Sequence, residues 1–360
     1  MLPFIRRALS AYPFYERMRY LRKIKQLRKE NPGGFAKRLD PSVEREIKRY
    51  WASFGIKVRL NWHRGYAGMS NDKNVHRYIP EDIYYAYIER AFNRYELADA
   101  YADKNEYRRL FPNVRTPTTL LRRMNGRFYD VDYQSLSTEK ADDMLRAING
   151  DLIIKPSIDS GDGKNVRKLT IENGRFRTDD APTDLDALVK LYGRDFIVQY
   201  VFQQHPAIAE FHPTSVNTIR LYTLRWNGEI RVISTVLRLG NMKRHFDNRG
   251  IPCGVKADGR LNHSANTKYF QKHEVHPVTG KAFKGFVVPG WQAACEFVKE
   301  LHQELRYFDS ASWDIAIDPD ANPCLMEVNL TFQEINFHQV NNGPLFGDLT
   351  DEILSHVFHK

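Results

Sequence analysis

Two carboxylates and an amide stand at a spacing that suits a divalent cation. They are Asp314, in Ser312-Trp313-Asp314-Ile315-Ala316-Ile317-Asp318, and Glu327 and Asn329, in Cys324-Leu325-Met326-Glu327-Val328-Asn329. Both stretches are short, apolar and bounded by turn residues, so they read as strands, with Pro319-Asp320-Ala321-Asn322-Pro323 as the turn between them. Pairing Asp318 with Pro323 sets Asp314 opposite Glu327, their Cβ atoms about 5 Å apart. Asn329, two residues further on, falls on the same face. Facing carboxylates repel, and burying them unpaired is costly. A hard cation resolves the conflict, and Mg²⁺ is typically held by one or two carboxylates plus substrate phosphates. The competing reading is a solvated hairpin with scattered polar residues, and a one-residue change of register weakens the metal reading.

Other residues carry charge into apolar surroundings. Lys155 ends the strand Asp151-Leu152-Ile153-Ile154-Lys155-Pro156 and needs either an anion, such as phosphate, or an exit to water. Arg220 in Asn217-Thr218-Ile219-Arg220-Leu221 and Arg238 in Val236-Leu237-Arg238-Leu239 interrupt apolar strands. Such an arginine meets a carboxylate or a phosphate, and a structural ion pair is as good an account as a catalytic one. Ser160-Gly161-Asp162-Gly163-Lys164 can bring backbone N–H groups close around phosphate. It is neither a P-loop nor a GxGxxG turn, and the residues after it read as strand. A glycine flap between antiparallel strands and a plain turn both remain open. Lys104, in Ala102-Asp103-Lys104-Asn105, carries no signal of its own. His263, His273 and His276 near Cys253 match no ordinary zinc spacing.

The elements that must position these residues are set by periodicity and turn chemistry. Residues 1 to about 30 read as a basic amphipathic helix, with Phe14, Met18, Leu21, Ile24 and Leu27 at roughly helical spacing, ended by Asn31-Pro32-Gly33-Gly34. Such a helix either lies on an anionic membrane or packs on its own domain with a solvated basic face, and the second is preferred. Pro41 to about Asp103 reads as mainly helical, with a start at Pro80-Glu81-Asp82 and His63-Arg64-Gly65-Tyr66 in a loop. From about Arg115 strands dominate, in hairpins turned by Asn125-Gly126, Asn173-Gly174 and Asn227-Gly228. Phe196-Ile197-Val198-Gln199-Tyr200-Val201 is a buried strand. Ser137 to Ile148 and Gly290 to Leu305 are helices. Antiparallel hairpins with helices between them argue α+β, not regular βαβ alternation.

Composition sets outer bounds. The 360 residues allow two or three domains and a sizeable core. Apolar content of 42% and charged content of 27% fit a soluble globular chain. No apolar run is long enough to span a bilayer, and Met1-Leu2-Pro3-Phe4-Ile5-Arg6-Arg7 lacks the features of a secretory signal. Cys253, Cys295 and Cys324, odd in number and without a CxxC pair, read as reduced thiols of a cytosolic protein. A net charge of +10 favours an anionic partner. No zinc finger or RNP-type motif points to nucleic acid.

The order of these features resembles the ATP-grasp superfamily, and more closely the sugar-transfer-associated ATP-grasp group found with exopolysaccharide and capsule genes. The resemblance runs from about His63 to Phe346. It rests on Asp103-Lys104, the strand-ending Lys155-Pro156, the glycine flap, Gln199-Tyr200-Val201, Asn217-Thr218-Ile219-Arg220, Asp314 and Glu327-Val328-Asn329. It implies two α+β subdomains clasping ATP, preceded by a mainly helical N-terminal region. The boundaries expected are 1–44 for the basic helical segment, 45–110 for the helical domain, 111–200 for the subdomain with the flap and 201–360 for the C-terminal subdomain. On that resemblance Lys104 and Lys155 contact the nucleotide phosphates, and Ser160, Gly161 and Gly163 form the flap. Gln199, Tyr200 and Val201 border the adenine, largely through backbone, and Asp314, Glu327 and Asn329 hold one or two Mg²⁺ ions. Arg220, with Arg238, stabilises the transferring phosphoryl group. Two departures stand out: Gln199 occupies a position where many relatives carry Glu, and Gln203-Gln204 replaces an acidic ribose contact.

The activity implied is an ATP-dependent carboxylate–amine ligation through an acyl phosphate, modifying a cell-surface polysaccharide or its sugar precursor. Two alternatives are a phosphotransferase with a sugar hydroxyl as acceptor and a non-catalytic protein that binds an anionic polymer or a membrane. The expected setting is cytoplasmic, with residues 1–30 as the segment for any peripheral contact at the inner membrane face.

Overall fold

The computed structural model describes residues 3–36, 38–69, 74–158, 165–178, 181–241 and 250–359, with side chains from Tyr12 onward. Ser160, Gly161 and Gly163 therefore lie outside the described residues.

The N-terminal part is helical. Helix α1 (Pro3–Glu30) is followed by a 3₁₀ turn at Pro32–Gly34, then α2 (Pro41–Ser53) and α3 (Asn61–Met69). The apolar stripe of α1 faces inward: Tyr20, Leu21, Ile24 and Leu27 are buried. Arg17 pairs with Asp82 at 3.1 Å and Lys23 with Glu81 at 2.8 Å. The helix packs on its own body, the placement preferred above, and leaves Phe14 and Tyr15 exposed. His63-Arg64-Gly65-Tyr66, expected in a loop, lies inside α3. Trp62 and Tyr66, four residues apart, are fully buried and dictate a helix face there. Gly65 and Gly68 are tolerated because neither position has room for a side chain: an added Cβ would meet the Phe270 ring and the Gly34 carbonyl. A helical run over 81–92 begins after Pro80, and its middle, Tyr84–Ile88, is a π turn.

Two antiparallel sheets complete the chain. The first holds β1 (Thr119–Met124), β2 (Arg127–Tyr129), β3 (Ser135–Leu136), β4 (Gly150–Pro156), β5 (Arg167–Glu172), β6 (Arg175–Thr178), β7 (Ala181–Thr183) and β8 (Phe196–Tyr200). Their order is β3-β2-β1-β8-β4-β5-β6-β7. Helices α4 (Thr138–Arg146), capped by Ser137, and α5 (Leu185–Tyr192), capped by Asp184, add Ala141, Leu145, Leu185 and Leu188 to its core. The turns at Asn125-Gly126 and Asn173-Gly174 have positive φ at both residues, as tight hairpins require.

The second sheet holds β9 (Thr218–Trp226), β10 (Glu229–Leu239), β11 (Ile251–Val255), β12 (Leu261–Asn266), β13 (Lys272–His273), β14 (Ser310–Ile317) and β15 (Pro323–Asn329), in the order β13-β12-β11-β10-β9-β14-β15. Helix α6 (Trp291–Glu304) covers one face through Ala294, Val298 and Leu301. Helices α7 (Ile335–Asn342) and α8 (Thr350–Phe358) lie toward the N-terminal helices and share a core with them through Ile335, Val340, Ile353 and Leu354. All strand pairings are antiparallel among the described residues.

The β14–β15 hairpin carries one correction. Ile317, not Asp318, pairs with Pro323. Asp318 instead caps the turn, its Oδ1 accepting from the backbone N–H of Asp320 at 3.0 Å and of Asn322 at 2.7 Å. A bulge between Asp314 and Ile315, opposite Met326, then restores the offset, and Asp314 faces Glu327 as expected.

Candidate active site

Strand alternation builds the centre of the site. Arg220 on β9 lies opposite Asp314 on β14, and Asp314 lies opposite Glu327 on β15. Asn329 is two residues beyond Glu327, and Arg238 is two residues beyond Val236, the partner of Arg220 on β10. Period two therefore sets all five side chains on one face. That face lines a cavity of about 1010 Å³. Lys155 from β4, Gln199, Tyr200 and Val201 at the end of β8, and Lys104 from the connection before the first sheet line the same cavity. The described candidates, far apart in sequence, thus converge in one cavity between the two sheets.

The charges are ordered. Arg220 grips Asp314 in two places, Nε to Oδ1 at 2.7 Å and Nη2 to Oδ2 at 2.5 Å. Arg238 donates to Asp314 Oδ2 at 3.3 Å. Burial alone would raise the Asp314 carboxyl; Arg220, then Arg238, overturn that and hold it down at about 2. Lys104 Nζ donates to Glu327 Oε1 at 2.7 Å. Burial opposes ionisation of Glu327 too, and Lys104 reverses the sign, so its carboxyl lies below the usual range. Asn329 Nδ2 donates to the Ser312 carbonyl at 3.3 Å, which fixes the amide's orientation. Lys155 differs: it is buried, and no carboxylate or hydrogen-bond acceptor meets its Nζ among the described residues. Burial, then repulsion from Lys104, brings its ammonium down to about 8.

The two glutamine departures have structural explanations. Gln199 Nε2 donates to the Pro117 carbonyl at 3.1 Å and to Thr119 Oγ1 at 3.3 Å, so its side chain anchors the start of β1. Gln204 ties the 212–217 loop, donating to the Ser215 carbonyl at 2.8 Å and accepting from the Asn217 backbone at 3.0 Å.

Sequence reasoning missed the loop after β15. Glu334 lines the cavity, pairs with Lys268 at 2.5 Å and lies 3.5 Å from Arg220. Burial would raise its carboxyl, but Lys268 and the two arginines hold it at about 2. Phe332 and Glu334 adopt left-handed backbone, φ 53° and 55°, a strain of about 1–3 kcal/mol each that the surroundings must hold. They do: Glu89 accepts from the backbone N–H of Phe332 at 3.0 Å and of Gln333 at 3.2 Å, and Tyr85 Oη accepts from that of Glu334 at 2.9 Å. Burial raises the Glu89 carboxyl to about 7 despite these donors and the Tyr95 hydroxyl. Nothing in the spacing of Leu330-Thr331-Phe332-Gln333-Glu334 marks this loop.

The donor set can be tested against a metal. Asp314, Glu327 and Asn329 offer only oxygen, from two ionised carboxylates and an oriented amide, which suits a hard cation such as Mg²⁺. Among the described residues no group of three or more His, Cys, Asp or Glu could hold a metal. Oxygens from substrate phosphates would complete the coordination, as is usual for Mg²⁺.

This cavity between two antiparallel sheets, with cations and carboxylates facing across it, defines an ATP-grasp fold of the α+β class. The sequence matches the family profile described as sugar-transfer associated ATP-grasp over residues 85–353, and the chain belongs to that family. Similar solved structures include an L-amino acid ligase from Bacillus licheniformis (14% identity, 72% of this chain and 48% of that one, TM-score 0.38). An N5-carboxyaminoimidazole synthetase from Staphylococcus aureus complexed with ADP is similar at 11% identity, over 71% of this chain and 51% of that one, TM-score 0.40. A D-alanine–D-alanine ligase from Bacillus anthracis is similar at 11% identity, over 74% of this chain and 69% of that one, TM-score 0.39. The chain spans about half the length of the first two. No curated protein sequence matches.

Proposed function

We propose that this protein is an ATP-dependent ligase that activates a carboxylate as an acyl phosphate and transfers it to an amine. The observation that carries the reading is the single cavity in which Lys104 and Lys155 face the Arg220–Asp314–Glu327 row. In this reading Lys155 takes a nucleotide phosphate as the anion that its buried ammonium needs, and Lys104 takes another. The backbone of Gln199, Tyr200 and Val201 borders the base, and Ser160, Gly161 and Gly163 cover the phosphates. Asp314, Glu327 and Asn329 would hold Mg²⁺, which when bound neutralises charge on the phosphates. Arg238 and Arg220 stabilise negative charge on the phosphoryl group in flight. Such chemistry needs alignment and charge compensation more than a protein nucleophile.

The setting proposed is cytoplasmic, and the substrate a cell-surface polysaccharide or its precursor, in keeping with the family description. No helix among the described residues is long and apolar enough to cross a membrane. Phe14 and Tyr15 remain exposed on α1 and support peripheral membrane contact.

The test is release of ADP and free phosphate from Mg-ATP with pooled amino acids and pooled uronic acids, each alone and together. Ligation requires both a carboxylate and an amine for phosphate release, and Glu327→Gln lowers the rate about 100-fold or more. ADP formed with phosphate retained on a sugar would instead establish the phosphotransferase. Turnover unchanged in Glu327→Gln would remove both readings.

A further inference from the structure

Helix α1 lies outside the residues matched by the family profile, yet Arg19, Tyr20 and Lys23 line the same cavity as Asp314 and Glu327. At about 1010 Å³ the cavity reaches the upper end for one small ligand, so a second substrate fits beside a nucleotide. The α1 wall is fixed by the Arg17–Asp82 and Lys23–Glu81 pairs and by burial of Ile24 and Leu27. It is also tied to the centre. The Tyr20 ring stacks on Tyr85 at 4.4 Å, and the Tyr85 hydroxyl holds the backbone of Glu334.

The surface offered at this end has a definite chemistry. Phe332, in its strained backbone conformation, exposes 41% of its surface and lines the cavity. The Arg19 guanidinium lies 5.6 Å from its ring centre and is itself largely exposed. Four carboxylates are near, and each has a cation: Glu16 with Arg19 at 3.6 Å, Glu81 with Lys23 at 2.8 Å, Glu334 with Lys268 at 2.5 Å, and Glu89, which holds the Phe332 backbone, with Arg90. The cations at this wall are therefore not outnumbered. An aromatic ring with a planar forked donor over one face fits a compact organic anion: the open part of the ring packs the body and the fork takes the carboxylate or phosphate in two hydrogen bonds.

We infer that the α1 end of the cavity is the acceptor-substrate subsite, in which Arg19 holds an anionic group remote from the reacting centre and Phe332 packs the adjoining ring. This rests on the nucleotide reading of the opposite end. The ligand class is a sugar that carries an anionic group, a carboxylate or a phosphate, besides the amine that reacts, and glucuronate and glucose 6-phosphate are probes for that anionic group.

The experiment is ligand-observed NMR titration of the full chain, with Mg-ADP present, using glucuronate, glucose 6-phosphate and neutral glucose. Mg-ADP affinity is measured separately. At least one acidic sugar is expected to bind tenfold or more tighter than glucose. The arm that wins says whether carboxylate or phosphate is read. Arg19→Glu should weaken the anion at least fivefold and Phe332→Ala weaken it further, both leaving Mg-ADP affinity unchanged. Arg19→Gln, a gentler change on an exposed helix face, should give an intermediate loss. Equal binding of glucose and the acids, no binding of either acid, or no effect of both Arg19 variants overturns the subsite while leaving the nucleotide site intact. Failure of Mg-ADP to bind removes the nucleotide reading, and the subsite with it.

Discussion

The two ends of the cavity treat buried charge in opposite ways. At the Arg220–Asp314 end each charge has a partner: Asp314 is held by two arginines, and Glu334 by Lys268 and Arg220. At the other end Lys155 is buried near Lys104, without an ion pair of its own among the described residues. The first arrangement is complete in the protein alone and serves to hold geometry. The second is costly in the protein alone and is relieved by an anion. The difference separates charges that are balanced within the free protein from a charge that is not.

The sharpest way to break that contrast is to remove the centre of the paired end. Asp314→Ala leaves Arg220 buried against Glu334 alone. Removing one partner of a buried pair costs about 3–5 kcal/mol, so thermal and urea melts should show a large loss, and turnover should vanish. The pH dependence has a defined sign. The Asp314 carboxyl is held at about 2 against an ordinary value of 3.8. Its contribution is fully present above about pH 4 and is lost as pH falls toward 2. The variant's melting point should therefore converge on that of the wild type in acid. A variant as stable as wild type at pH 7 would show that the pairs are not structural.

Glu89 joins the paired end from outside the cavity. Glu89→Gln replaces an acceptor of two backbone N–H groups with a side chain that is half donor. Leaving one buried N–H unmet costs about 1–3 kcal/mol. The Phe332–Glu334 loop should loosen, seen as faster amide exchange at Gln333. The native carboxyl at about 7 lies above its ordinary 4.5, so wild-type stability should fall as pH rises from about 4.5 to 7. The Gln variant should lack that slope.

Legibility in the sequence divides along the same line. Arg220, Asp314, Glu327 and Asn329 could be placed because strand alternation is local and the Asn-Gly turns announce the hairpins. The turn itself was misplaced by one residue, since Asp318 serves as a cap and the bulge at Met326 compensates, and neither leaves a periodic trace. His63 was read as loop because Gly65 suggests one, while that glycine serves the close approach of the distant Phe270 ring within a helix set by buried Trp62 and Tyr66. Glu334, Phe332 and the Arg19 wall were not legible at all. Their positions depend on Glu89, Tyr85 and α1, between about 240 and 310 residues away in sequence, and long-range packing has no local signature.

At the Lys155 end the expected effects are smaller and fall on binding. Lys155→Met removes a buried cation that has no ion pair or hydrogen bond among the described residues, although Glu327 attracts it. Stability should hold or rise slightly, by about 1–2 °C in melting point. Nucleotide affinity should fall about 10- to 100-fold, as for one charge-assisted hydrogen bond. Calorimetric titration with Mg-ATP and a melt of the free protein measure both. A clear drop in stability would mean that Lys155 already has a structural role, and the contrast between the two ends would be lost.

The subtlest consequence is a proton. With the Lys155 ammonium brought down to about 8 from 10.5, the folded protein holds fewer protons than the unfolded chain between those values. Stability of the free protein should therefore rise with pH across that window. A bound phosphate favours the charged form and returns the group toward its ordinary value. Binding of Mg-ATP near pH 9 should then take up a fraction of a proton, which the groups of the paired end, already ionised, do not contribute. Calorimetric titrations in two buffers of different ionisation enthalpy measure that uptake. It should disappear in Lys155→Met and persist in Arg238→Gln. Uptake that survives in the Met variant would assign the proton to another group and leave Lys155 charged in the free protein.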